Sequence, residues 1–186
     1  DSTFDYTLAY FTNSDRRGLS ILPIHRLLNL GKELDLGEFI LRLKAYFDVE
    51  ELKDKNRFFF LMAKAGVAEH LLGLYKDKRY WLLRLKNIKI LGKLMGDKPD
   101  AYRRLDVSIL NHIVFKEVLG YDSVDKESLV YSPDAQELIA LADTQPAALV
   151  FFLNPVKLDQ IIAVALKGDK MPAKSTYFYP KVLSGL

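Results

Sequence analysis

Apolar residues follow a strand-like period in several parts of the chain. Near-alternating aromatic and β-branched residues predict a strand over Phe4–Thr12. A second apolar run, Leu19–Leu28, predicts a strand that lies at a sheet edge or breaks at Pro23, because proline has no amide donor. The runs Leu71–Tyr75 and Tyr80–Leu85 flank four charged residues and predict a β-hairpin.

Other segments carry apolar residues at the spacing of an amphipathic helix. The first extends from Leu36 to Phe47, and Asp35 and Glu38 at its start have the spacing of a capping box. A second helix is predicted over Asn56–Val67, and its three consecutive phenylalanines are expected to be deeply buried.

The second half of the chain alternates between predicted helices and short strands. A helix is predicted over Pro99–Leu119, and further helices begin near Ser132 and after Asn154. The continuous apolar run Ala147–Leu153 is typical of a buried strand, and Ser175–Tyr179 predicts a last one. No fixed-period repeat and no linker divides the chain. We therefore expect one α+β domain over residues 1–186, with a mixed sheet, a hairpin and about five helices.

Composition narrows the function without naming it. The 186 residues are 49% hydrophobic and 27% charged, with a formal net charge of +3 and no cysteine. These values fit a globular domain and exclude disulfides, thiolate metal sites and a cysteine nucleophile. No apolar run is long enough for a membrane span, and we expect a cytoplasmic protein. Phosphate-loop, dinucleotide-loop, zinc-protease and nucleophile-elbow motifs are all missing from the sequence.

Two adjacent residues after Pro23 are candidates for ligand binding. Arg26 has a guanidinium that can hold a carboxylate or phosphate with two hydrogen bonds, and His25 titrates near neutral pH. The alternative is a half-buried histidine beside an ordinary surface arginine.

The densest polar cluster lies near the end of the chain. Lys174, Ser175, Thr176 and Lys181 combine two ammonium groups with two hydroxyls, a chemistry that suits a phosphate or carboxylate ligand. The alternative is an edge strand whose lysines keep it soluble.

The three histidines His25, His70 and His112 are far apart in sequence, so a histidine metal site is not expected. Ser108 and His112 share a helix face and could meet. A serine–histidine contact on one helix lacks the third group and the oxyanion donors that acyl transfer needs, so an ordinary helix face is the alternative.

The stretch 51–104 is locally basic, with fourteen basic against six acidic residues. Tyr75, Tyr80 and Trp81 lie among them, a mixture seen on some nucleic-acid-binding surfaces. No nucleic-acid-binding motif accompanies it, and a solvated basic face is the alternative.

If the protein is instead an interaction or oligomerisation module, we expect Trp81 to be exposed at the interface.

Three ordered segments resemble one family of bacterial and archaeal proteins, the domain of unknown function 1015. They are Ser20–Leu27, Leu105–Leu110 and Met171–Lys181, the last followed by Ser184–Leu186. His25, Arg26, Lys174, Ser175, Thr176, Lys181 and Asp106 match positions of the family pattern.

The resemblance implies that this chain is the C-terminal part of a longer protein. Full-length members carry an Asp-Gly-His-His-Arg motif in their first half, which resembles the ParB/sulfiredoxin-like fold; some relatives of that fold phosphorylate free serine. That motif is absent here. The resemblance implies a nucleotide or phosphate ligand and partnership with the N-terminal half or a second copy. We expect the fragment alone to be inactive, because it lacks the groups for phosphoryl transfer.

Overall fold

The computed structural model of the protein describes Phe11, residues 20–64 and residues 69–181. The strands of this part are β1 (Ser20–Leu22), β2 (His25–Asn29), β3 (Phe47–Leu52), β4 (Leu71–Lys76), β5 (Arg79–Leu85), β6 (Leu129–Ser132), β7 (Ala148–Phe152) and β8 (Tyr177–Tyr179). The helices are α1 (Leu36–Leu43), α2 (Lys55–Lys64), α3 (Ile90–Leu94), α4 (Asp100–Arg103), α5 (Asp106–Ile109), α6 (Ala135–Asp143) and α7 (Leu158–Ala165). A π-helix, Leu110–Val118, continues α5 without a break.

Six strands form one sheet in the order β3-β5-β4-β7-β2-β6, and β1 pairs with β8 in a small second sheet. The α+β class is confirmed. A mixed sheet was expected, whereas the five pairings that join these six strands are all antiparallel. Antiparallel neighbours can be joined without a helical crossover, so this sheet does not require a helix between successive strands.

Two of the predicted strand features are confirmed. The hairpin forms from β4 and β5, and its turn residues Asp77 and Lys78 have φ angles of 50° and 60°. Positive φ at both positions gives a turn that matches the right-handed twist of the strands. The chain also breaks at Pro23: β1 joins β8, whereas β2 enters the large sheet between β7 and β6.

Other elements differ from their predictions. Helix α1 ends at Leu43, and Phe47 starts β3 instead of closing the helix. Of the three phenylalanines on α2, Phe58 is buried but Phe60 is 56% exposed, because one helix cannot bury three consecutive residues on one face. The strand predicted over Phe4–Thr12 lies outside the described residues, apart from Phe11.

The helix predicted over Pro99–Leu119 is interrupted. Leu105 has an extended backbone with ψ of 133°, and its side chain is fully buried. The chain therefore changes direction there, and the two helical parts on either side pack separately. The second part becomes the π-helix, which lies on the face of the sheet that carries the candidate site.

Helices cover both faces of the large sheet. One face packs against α1, α3, α5, the π-helix and α7, and the other packs against α2 and α6. At Gly73 on β4 an added Cβ would lie 2.5 Å from Phe58 Cζ and 3.0 Å from Phe152 Cβ, so only glycine fits there. Among the described residues no helix is both long and apolar enough to cross a membrane.

Candidate functional site

A pocket of about 350 Å³ opens where β2 and β6 meet the π-helix. We call it the Arg26 pocket. Its lining includes the following residues from the two strands, the π-helix, the loop after it and the C-terminal segment: Arg26, Asn111, His112, Phe115, Lys116, Tyr121, Asp122, Ser123, Tyr131 and Ala173. Aromatic rings and polar groups thus share its walls, which is typical of small-molecule sites.

Arg26 lies at the base of this pocket, and its side chain is almost completely buried. Only 1% of the residue is exposed. Its Nη2 donates a long hydrogen bond of 3.3 Å to the Lys174 carbonyl oxygen, and the guanidinium lies 5.6 Å from the centre of the Tyr131 ring. Its Nη1 is buried and has no hydrogen-bond partner among the described residues.

The buried guanidinium has no carboxylate partner within the part of the chain that the structure describes. Burial lowers the pKa of Arg26 to about 10, and the neighbouring Tyr131 partly offsets this shift. At neutral pH the group is still charged. A buried, unpaired charge is costly, so a bound anion would relieve the cost.

The π-helix supplies one wall of the pocket. In the ring of His112, Nδ1 lies 3.0 Å from the Ser108 carbonyl oxygen. The two residues therefore meet, as their helical spacing allowed, but through the backbone of Ser108. The Ser108 hydroxyl is buried and has no partner among the described residues. At the rim, Lys116 Nζ lies 3.4 Å from Asp122 Oδ1, so this lysine is already paired.

The C-terminal segment places only part of the predicted cluster at the pocket. Lys174 has a φ of 54° and is exposed, and its carbonyl contacts Arg26. The Ser175 hydroxyl donates to the Pro172 carbonyl, and Lys181 Nζ lies 4.0 Å from the centre of the Tyr177 ring. Thr176 is half-buried between them. The backbone of Lys174 is thus brought to Arg26, whereas the Ser175 and Lys181 side chains make local contacts.

His25 is turned away from the pocket. Its Nδ1 accepts a 3.2 Å hydrogen bond from the Leu153 amide, and its ring meets Phe152 edge-on. Burial, with a smaller effect from the Arg26 charge, lowers the pKa of His25 to about 4. This histidine is therefore neutral near pH 7 and acts as an acceptor within the core.

Sequence reasoning did not propose Asn111, Tyr121 or Tyr131 as site residues. Tyr131 belongs to β6, a strand that the sequence pattern did not predict. Tyr121 follows Gly120, whose φ of 81° ends the π-helix. The position of Tyr121 directly after a helix-ending glycine was the one feature of the sequence that pointed to a site residue. In a single sequence, such a residue looks the same as any other loop residue.

The aromatic hairpin is not the exposed interface that was expected. Trp81 is 2% exposed and belongs to the core, so that prediction was wrong. Several basic residues of the stretch 51–104 are paired: Arg79 with Glu51 at 2.7 Å, and Arg84 with Glu69 at 3.1 Å. Nucleic-acid binding through this stretch stays a prediction.

In the described ranges, no three histidine, aspartate or glutamate side chains gather to hold a metal ion.

Solved structures that are similar to this chain share little sequence identity with it. Among solved structures, the chain is similar to a conserved hypothetical protein from Pyrococcus furiosus, with 12% identity and a TM-score of 0.45 over 90% of this chain and 59% of that one. It is also similar to a free serine kinase in complex with AMP, with 12% identity and a TM-score of 0.48 over 90% and 56% of the two chains. A variant of free serine kinase in complex with ADP gives 11% identity and a TM-score of 0.46 over the same shares.

The chain therefore spans between 56% and 59% of the length of these structures. A search of curated proteins gives no match. The family model described as "Protein of unknown function (DUF1015)" matches residues 1–108. Since the match covers more than half of the chain, this protein belongs to the DUF1015 family.

Proposed function

We propose that this chain binds a phosphate-bearing small molecule, such as a nucleotide, in the Arg26 pocket. The observation that carries the proposal is the buried Arg26 guanidinium, whose Nη1 has no partner in the described part of the chain. Arginine binds phosphate oxygens with strong, charge-assisted hydrogen bonds. The proposed role is to hold the anionic end of the ligand.

The ligand reaches Arg26 from the pocket side. Because only 1% of Arg26 is exposed, a phosphate oxygen contacts Nη1 after a small shift of Tyr131 or of the segment around Ala173. The 3.3 Å bond between Arg26 and the Lys174 carbonyl is long enough to yield to a stronger acceptor. The exposed Lys174 side chain follows Ala173, a residue of the pocket lining, and in this proposal its ammonium adds a second positive charge for the bound anion.

The family resemblance extends the proposal to the whole protein. In a full-length member, the N-terminal half would complete the site and supply the catalytic groups of a small-molecule kinase related to ParB and sulfiredoxin. In this proposal the present chain provides one wall of the ligand site and performs no reaction by itself.

Thermal unfolding with and without phosphate, ADP and ATP tests the proposal. A ligand at one hundred times its Kd stabilises a protein by about 2.7 kcal/mol. For a chain of this size, that corresponds to a rise in Tm of about 5 to 10 °C.

Two variants make the test specific to the pocket. Arg26→Met should abolish the shift in Tm, and Lys174→Ala should reduce it. The matched control is Arg79→Met, since Arg79 is exposed and pairs with Glu51 away from the pocket. If the native protein shows no shift with any of the three ligands, or if Arg26→Met retains it, the proposal is wrong.

A further inference from the structure

The hydrogen bond of His112 fixes which of its ring nitrogens carries the proton. Nδ1 lies 3.0 Å from the Ser108 carbonyl oxygen, and a carbonyl can only accept. Because Nδ1 must be the donor, it carries the proton of the neutral ring. Nε2 is then a bare acceptor on a residue that lines the Arg26 pocket.

The Arg26 pocket consequently offers a ligand both hydrogen-bond donors and a hydrogen-bond acceptor. At its base Arg26 offers only donors, whereas on its wall His112 offers a lone pair. An oxyanion satisfies the arginine, but it has no hydrogen to donate to the histidine lone pair. A ligand that carries a hydroxyl group next to its anionic group satisfies both, because the hydroxyl donates to Nε2.

We infer that the Arg26 pocket selects hydroxyl-bearing phosphates, and that His112 is the residue that recognises the hydroxyl hydrogen. This inference rests on the proposed function, since it needs an anion at Arg26, and it adds the chemical class of the ligand. Sites that hydrogen-bond a ligand hydroxyl discriminate against analogues without it, because the polar partner in the site then loses its hydrogen bond. Phe115 and Tyr121 give the carbon atoms of the ligand an apolar surface.

Two small phosphates that differ in their hydroxyl groups provide the test. Glycerol 3-phosphate and n-propyl phosphate have the same carbon number, and at pH 8 the phosphate of each is a dianion that cannot itself donate. Calorimetric titration of the native protein should show glycerol 3-phosphate binding about tenfold more tightly, the size expected for one added hydrogen bond.

The variant His112→Phe removes both ring nitrogens and keeps an aromatic ring. It should bring the affinity ratio of the two phosphates close to one, while n-propyl phosphate binds as well as before or more tightly. If His112 has only a structural role, His112→Phe would weaken the binding of both phosphates in parallel and leave their affinity ratio unchanged. That result would overturn the inference.

The outcomes also separate this inference from the proposed function. If both phosphates bind equally to the native protein and Arg26→Met abolishes both, the pocket binds anions but His112 does not select the hydroxyl. If neither phosphate, nor the nucleotides used above, binds to the native protein, the proposed function itself is wrong.

Discussion

His25 and Arg26 are neighbours on β2, and their side chains lie on opposite faces of the sheet. The His25 ring packs against Phe152, whereas Arg26 lies beneath the Arg26 pocket beside Tyr131. Side chains alternate across a strand, so two adjacent polar residues in a buried strand cannot serve the same site directly. Of these two residues, His25 is thus a core residue and Arg26 is a pocket residue.

Arg26→Met should stabilise the protein although it would remove the proposed anion site. The native guanidinium is buried without a carboxylate partner in the described residues, and methionine fills a similar volume without a charge. Replacing even a buried ion pair by apolar residues of similar volume is often neutral or stabilising by about 1 to 4 kcal/mol, and an unpaired buried charge lacks the attraction that offsets desolvation in a pair. Urea unfolding without ligand checks this, and a higher midpoint at an unchanged slope is the expected result. A large loss of stability would mean that Arg26 holds the fold together.

Acidification should destabilise the native protein through His25. Its pKa is about 4 in the folded protein and about 6.5 when unfolded, so between these values the unfolded chain binds the extra proton. Stability therefore falls as the pH is lowered through this window, by about 3 kcal/mol for the full shift. Urea unfolding at a series of pH values measures the slope.

His25→Gln provides the comparison for that slope. Its amide oxygen can still accept from the Leu153 amide, but it does not titrate. The slope between pH 6.5 and 4 should be shallower in this variant than in the native protein. Equal slopes in the two proteins would contradict the prediction.

Gly73→Ala should destabilise the protein by about 1 to 3 kcal/mol, the usual cost of overpacking a core. The added Cβ would lie 2.5 Å from Phe58 Cζ, so the ring must move. Combining Gly73→Ala with Phe58→Leu should cost less than the sum of the two single changes, because the smaller residue makes room. Strict additivity in a double-mutant cycle would show that the two sites do not contact each other as described.

Trp81→Ala should lower the free energy of unfolding by about 3 to 5 kcal/mol without a specific effect on assembly. Trp81 is 2% exposed and packs in the core with the inner residues of the hairpin. Urea unfolding combined with sedimentation velocity distinguishes the two effects. Dissociation of an oligomer at unchanged monomer stability would restore Trp81 as an interface residue.

The sequence pattern predicted the elements that are strongly periodic or clearly delimited. The hairpin of β4 and β5 and the buried strand β7 belong to this group, because their apolar runs end at charged or turn-forming residues. Strand β3 was missed since Phe47, its first residue, also continues the helical spacing of α1. At such a position the local pattern fits both structures, and only pairing with β5 decides between them.

The structure gathers only some of the residues that the sequence proposed for an anion site. Arg26 and Lys174 are 148 positions apart, and the sequence placed both in anion-binding roles. It did not show that Ser175 bonds to the backbone or that Lys181 lies over Tyr177, because both contacts depend on how the last segment turns. The face on which each residue of β2 lies also depends on the register with β6 and β7.

The π-helix Leu110–Val118 also bears on how such a pocket is gained or lost during evolution. A π-turn holds more residues than an α-turn, so deleting one residue within this segment would favour an ordinary α-helix. Residues within the segment would then change their direction around the helix axis, whereas those beyond it keep theirs, because each turn closes with fewer residues. Asn111 and His112 could leave the pocket in this way while the sheet and its core stay intact. Relatives of the same fold would then differ in ligand binding through a single codon.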